Sequence, residues 1–113
     1  MSDDTAVTTL AERKAAEAAR RRRAADAVVE ALRAYAGEHG GRFVVFGSYV
    51  AGEVRFDSDF DLLIDFPEER SPDAWRFAED VCARHGLPPD LHDAATTTEK
   101  FLERVRAKGL HLP

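Results

Sequence analysis

Hydrophobic positions along this chain change period several times, and each change marks an element. From Leu10 onward Ala, Glu, Arg and Lys dominate, all strong helix formers. Thr9-Leu10-Ala11-Glu12 reads as a capping box, in which the Thr9 hydroxyl and the Glu12 carboxylate satisfy backbone donors reciprocally. Val28, Val29, Leu32, Tyr35 and Ala36 recur at helical spacing and predict a core-facing stripe, with Gly37 as the stop. The half before Asp26 has only alanines and Leu10 to bury. Residues 1–25 therefore read as a helical extension, frayed over Ser2 to Thr8, and residues 26–113 as the globular domain.

Phe43-Val44-Val45-Phe46 is a continuous apolar run suited to a strand covered on both faces, and Gly47-Ser48 turns the chain immediately after it. Phe60 to Phe66 alternates: Phe60, Leu62, Ile64 and Phe66 make one face, and Asp59, Asp61, Leu63 and Asp65 the other. Ser71-Pro72 opens a helix with Ser as N-cap, its buried side marked by Trp75, Ala78, Val81 and Cys82 and its stop by Gly86. A brief strand follows at Asp90 to Asp93. Thr96 and Glu99 then suggest a second capping box for a last helix carrying Phe101, Leu102 and Val105, which stops at Gly109. The order helix, strand, strand, helix, strand, helix predicts an α/β (α+β) domain. It is a small mixed sheet with helices packed on one face, preceded by a long N-terminal helix. The apolar face of the second strand would meet those helices, and its carboxylate face would open to solvent or to a cleft.

Composition narrows the class. The chain has 113 residues, 44% hydrophobic and 33% charged, with a formal net charge of −5, and one small domain accounts for it. Its longest stretch without a charge, Phe43 to Gly52, is ten residues, against the roughly 18 a membrane helix needs. No basic-then-apolar leader precedes Thr9, and a single cysteine allows no internal disulfide. A cytoplasmic protein is expected. Residues 1–37 hold seven basic against six acidic side chains, and residues 38–113 nine against fifteen. That acidic body would repel a phosphate backbone, so direct nucleic-acid binding by it is not expected. Its carboxylates are either solvated surface or cation ligands.

Their spacing bears on that choice. Asp59 and Asp61 lie two apart on a strand, so both leave one face with α-carbons roughly 6.6 Å apart. Paired carboxylates suit hard cations, and two ions about 4 Å apart can clamp the attacking and leaving oxygens of a phosphoryl transfer. Asp65 shares the face but lies roughly 13 Å from Asp61, out of reach. A third ligand must come from a neighbouring strand, where Asp90 sits. Asp93 is close, but Asp90 and His92 share one face and Leu91 takes the other. Gly47 lets the backbone approach a phosphate, and the Ser48 hydroxyl can donate to it. Asp57-x-Asp59-x-Asp61 also imitates the start of a calcium loop, but Leu62 stands where that loop requires glycine. Trp75 and Cys82 read as core. Tyr49 either packs against a base or covers the loop. His92 either faces the cleft or is incidental. Arg20 to Arg23 is either a solvated helix flanked by Glu17 and Asp26 or a docking element for an acidic partner or partner-bound RNA.

Together these residues resemble the signature of minimal nucleotidyltransferases (MNT) of the DNA polymerase beta superfamily: Gly-Ser, a short turn, Gly, Arg, then Ser-Asp-x-Asp-Leu. The resemblance runs over residues 26–112 and includes Pro89-Asp90-Leu91-His92, similar to the family's third-aspartate strand. The length and the Gly47-Ser48-Tyr49 opening are similar to the antitoxins of HEPN–MNT toxin–antitoxin pairs. The resemblance implies a polymerase beta-like fold and transfer of AMP from ATP to a tyrosine of a cognate HEPN ribonuclease toxin, within a hetero-oligomer. It implies that Gly47, Ser48, Arg55 and Ser58 bind the nucleotide. Asp59 and Asp61 would hold two Mg²⁺ ions, and Asp90 would complete that site and help deprotonate the acceptor. The family usually has Ala-Arg-Gly where this chain reads Val50-Ala51-Gly52, one positive charge fewer. Two rivals stand beside this reading: an MNT fold that neutralises a toxin by binding alone, and a transferase acting on a small molecule or RNA. The chain has little room for an acceptor-binding domain of its own, which weighs against the second rival.

Overall fold

The capping box forms as the sequence requires. The Thr9 hydroxyl accepts from the Glu12 N–H at 3.0 Å, and Glu12 Oε1 accepts from the Thr9 N–H at 2.7 Å. The computed structural model describes residues 9–113, so the expected fraying of Ser2 to Thr8 lies outside the described residues. Helix α1 runs Leu10–His39 and passes straight through Gly37. A glycine inside a helix costs about 1 kcal/mol, and here the packing of Leu32 and Ala36 beside that stretch outweighs it. The helix ends at Gly40, whose left-handed φ of 71° and N–H bond to the Ala36 carbonyl make the stop.

Strand β1 (Arg42–Phe46) leads through a short helix α2 (Ser48–Ala51) and a turn into β2 (Phe60–Asp65). Helix α3 (Ser71–Arg84), β3 (Pro89–Asp93), a 3-10 turn (Ala94–Thr96), α4 (Glu99–Lys108) and β4 (Leu110–Leu112) complete the chain. The sheet order is β3-β2-β1-β4, with β1 antiparallel to β2 and β4, and β2 parallel to β3. The mixed sheet behind a long N-terminal helix is as expected, but the helices do not all pack on one face: Val44 and Leu63 give the second face an apolar patch, and α4 covers it opposite α1 and α3.

Helices α1 and α3 cover one face. Val28, Leu32, Ala74 and Ala78 are buried there against Phe43, Val45, Phe60, Leu62 and Ile64. On the other face α4 sets Leu102 and Val105 over Val44 and Leu63, a second and smaller cluster. The apolar run of β1 is therefore sandwiched on both sides, as its composition suggested. Asp61 lies on the α4 face, half-buried.

Three local details differ from the sequence reading. Ser71 lies inside α3, buried, and donates to Asp93 Oδ2 at 2.8 Å, while Arg70 occupies the N-cap. Thr98, not Thr96, caps α4, accepting from the Phe101 N–H at 3.2 Å, because Thr96 is already held in the 3-10 turn. Strand β4 was not expected. Its three residues pair Leu112 with Phe43 and Leu110 with Val45, and that pairing makes it a strand.

Candidate active site

Parallel pairing of β2 with β3 places Asp61 directly opposite Asp90. In such a ladder, registered neighbours lie on adjacent strands about 4.8 Å apart and point to the same side. Asp59, one step before β2, adds its charge to the pair. The Asp61 carboxyl is consequently pushed up to about 6. Burial is the leading cause, then the charge of Asp90 and a hydrogen bond shared with it, then the charge of Asp59, with His92 opposing. Asp61 and Asp90 thus face each other from two strands, with the charge of Asp59 nearby and His92 opposing.

Gly47 closes one side of this cluster. Its φ of 77° and ψ of −148° fall in a region open essentially only to glycine. A Cβ there would lie 2.0 Å from Asp61 Oδ2, so the absence of a side chain is what admits the carboxylate. Ser48 begins α2 beside it, half-buried. Ser48, Tyr49, Ser58 and Asp59 line a single small recess with Arg21. The structure therefore brings Gly47, Asp61 and Asp90 together, and sets Ser48, Ser58 and Asp59 around a recess of their own. Ser58 is spent locally, its hydroxyl accepting from the Arg55 N–H at 2.8 Å. Arg55 points away: its side chain is 74% exposed, and Nε lies 3.8 Å from Asp57 Oδ1.

The other aspartates are otherwise engaged. Asp65 pairs with Arg106 at 3.0 Å, as expected for a residue out of reach of the cluster. Asp93 accepts from Ser71 and from the Ala95 N–H at 2.9 Å, a capping role that sets it apart from Asp90. His92 faces the cluster, with Nε2 3.4 Å from Asp90 Oδ2 and its ring 5.1 Å from that of Phe101. The Tyr49 hydroxyl donates to Asp26 Oδ1 at 2.5 Å, so the tyrosine is turned toward α1. Beside Gly47 an apolar groove of about 470 Å³ runs between α2 and α4, lined by Phe46, Val50, Ala51 and Phe101 with Arg104 and Lys108 at its edge. The sequence reading named Phe101 only as an apolar position of the last helix and passed over Arg104 and Lys108. Their signal is the helical spacing of Phe101, Arg104, Val105 and Lys108.

Among the described residues no group of three or more His, Cys, Asp or Glu side chains is arranged so that it could hold a metal ion by itself. The donor set is nonetheless all hard oxygen, and Mg²⁺ is typically held by one or two carboxylates plus substrate phosphates rather than by a protein cage. Burial and the neighbouring carboxylates, which together raise Asp61, are an electrostatic condition that a cation relieves. The residues fit such an ion.

The model of the nucleotidyltransferase domain family matches residues 25–111. A solved structure described as a candidate minimal nucleotidyltransferase is 29% identical, with a TM-score of 0.63, over 75% of this chain and 89% of that one. No curated protein matches. Among the described residues no helix is long and apolar enough to cross a membrane.

Proposed function

The chain belongs to the nucleotidyltransferase domain family, and we propose that it transfers AMP from ATP to a tyrosine hydroxyl of a cognate HEPN ribonuclease toxin, acting as its antitoxin. The observation that carries the transferase chemistry is the registered pair Asp61 and Asp90, joined by Asp59 and packed against Gly47. Gly47 and Ser48 would bind the triphosphate, the glycine giving backbone access and the serine a hydroxyl donor. Asp59, Asp61 and Asp90 would hold two Mg²⁺ ions, which when bound neutralise charge on the reacting phosphate and lower the pKa of an oxygen they touch. Asp90, exposed at the mouth of the cluster, is placed to accept the proton of the attacking hydroxyl. The new bond joins that oxygen to the α-phosphorus, and pyrophosphate leaves. His92, 3.4 Å from Asp90, can hold the carboxylate in position for that step.

The specific observation favouring the rival, neutralisation by binding alone, is that α2 carries no basic side chain, with Ala51 at its last position. One experiment separates the two. The partner that co-purifies with this chain is incubated with ATP and Mg²⁺ and its intact mass is measured. A gain of one or more AMP units, abolished by Asp59→Ala with Asp61→Ala, supports transfer. Tight binding with no change in mass refutes it and leaves sequestration. Cytoplasmic action fits a partner that cleaves RNA.

A further inference from the structure

Three of the four consecutive arginines in α1 reach three separate segments that carry the candidate site. Arg20 Nη2 donates to the Gly86 carbonyl at 2.9 Å and Nη1 to the His85 carbonyl at 3.3 Å, in the turn that leads to β3 and Asp90. Arg21 Nη1 donates to the Ser58 carbonyl at 2.8 Å, one residue before Asp59. The Arg22 guanidinium lies 4.8 Å from the ring centre of Tyr49, the neighbour of Ser48. Consecutive helical residues point about 100° apart, so a run that defines no stripe is the arrangement that can reach several segments at once.

Glu17 organises the first two. Its carboxylate accepts from Arg20 at 2.9 and 3.0 Å and from Arg21 at 2.7 Å. The bonds to Arg20 and Arg21 hold the Glu17 carboxyl down at about 2, so it stays ionised throughout the neutral range. The Arg21 side chain is only 17% exposed. A guanidinium presents several donors in a fixed fork, and Arg21 uses Nε on Glu17 and Nη1 on Ser58 simultaneously. Nearer the start of α1 the Lys14 ammonium lies over the Phe56 ring at 4.7 Å, on the same loop as Ser58.

We propose that Arg20 and Arg21, held by Glu17, are positioning residues: a clamp by which α1 fixes the turn bearing Asp59 relative to the turn that delivers Asp90. Its consequence for nucleotide binding rests on the function proposed above; the clamp itself does not. Neither arginine touches the carboxylates. Each acts through backbone carbonyls in the segment that leads to one of them, so the carboxylate separation depends on a helix that the sequence alone would leave in solvent.

Amide hydrogen exchange on the full chain tests this segment by segment. Arg21→Gln should speed exchange over residues 55–59, where the Ser58 N–H bonds to the Arg55 carbonyl, and leave residues 85–87 unchanged. Arg20→Gln should do the reverse, because the Gly86 and Leu87 amides bond within that other turn. About tenfold is expected in each case, the effect of losing one hydrogen bond to a charged group. Mn²⁺·ATP affinity, read from the Mn²⁺ paramagnetic resonance signal, should fall about tenfold in Arg21→Gln on the same reasoning. Exchange that rises equally in both segments for both variants, or in neither, overturns the clamp. A local rise with undiminished Mn²⁺·ATP affinity overturns its positioning role. Local rises in a protein that never binds Mn²⁺·ATP uphold the clamp and overturn the nucleotide reading instead.

Discussion

Asp61→Asn should make the metal-free protein more stable. The Asp61 carboxyl moves from 3.8 to about 6 on folding. In that window the folded chain binds more protons than the unfolded chain, so stability falls as pH rises through it. The cost is complete above about pH 6 and absent below about pH 4. A rise of that size corresponds to about 3 kcal/mol at most. The rise comes first from burial and then from the charges of Asp90 and Asp59; Asp61 is only half-buried, so water offsets part of both, which reduces the expected gain to about 1–2 kcal/mol. Asparagine is close in shape, carries no charge and can still donate to Asp90. For a domain of this size the gain raises the unfolding midpoint by about 4–8 °C. The assay is thermal or urea unfolding of both proteins in EDTA from pH 4 to pH 8, with the difference taken at each pH. That difference should be near zero at pH 4 and reach its plateau above pH 6. Adding Mg²⁺ at pH 7.5 should stabilise the parent protein and not the variant, closing the gap. A variant that unfolds at or below the parent temperature in EDTA at pH 7.5 refutes the charge-crowding argument. A gap that Mg²⁺ leaves untouched refutes the metal assignment.

Gly47→Ala imposes a side chain on a backbone conformation that costs about 1–3 kcal/mol for other residues. It also drives a methyl into the space of Asp61 Oδ2, so both the unfolding midpoint and Mn²⁺·ATP affinity should fall. Asp90→Asn and Asp93→Asn should separate cleanly although both lie on β3. The first should abolish Mn²⁺ binding with little loss of stability in a denaturant titration. The second should cost about 1–2 kcal/mol, through the Ser71 and Ala95 bonds, with Mn²⁺ affinity kept. Thr98→Ala removes the α4 cap and should cost about 1 kcal/mol in urea unfolding, whereas Thr96→Ala should cost less because Thr98 is the residue that caps α4.

What the sequence disclosed follows from how local each signal is. Strands β1 and β2 and the buried stripe of α1 rest on periodicities of their own residues, and all three form. The end of α1 was displaced because Gly37 and Gly40 look alike in sequence, and only the φ of 71° at Gly40 tells them apart. Strand β4 has three residues and no pattern; it exists because β1 offers an edge. In the site, Gly47, Ser48, Asp59 and Asp61 were legible as one motif, whereas the alignment of Asp61 with Asp90 depends on strand register, which no local pattern fixes. Arg55 was drawn in by its place in the motif and points outward to Asp57. The arginine run was opaque for a related reason: the carbonyls that Arg20 and Arg21 reach in the site-bearing turns lie 37 to 66 positions away.

The acidic character of the body is not uniform in kind. Where a carboxylate supports the fold, the structure supplies it with donors: Arg106 for Asp65, Ser71 and the Ala95 N–H for Asp93, two arginines for Glu17. Asp61 is treated in the opposite way. The charges that weigh most on it are two further carboxylates, and the residue beside it is a glycine in a conformation open essentially only to glycine, which makes room for it. Either feature alone could be an accident of packing. Both at one point, flanked by strands whose cores are fully buried, mean that the fold tolerates a cost that Asp61→Asn would remove and gives up a side chain at Gly47 to accommodate it. Such coincident violations mark a place shaped for something other than stability. The sign of the imbalance, opposed among the described residues by His92, is that of a place a cation would stabilise.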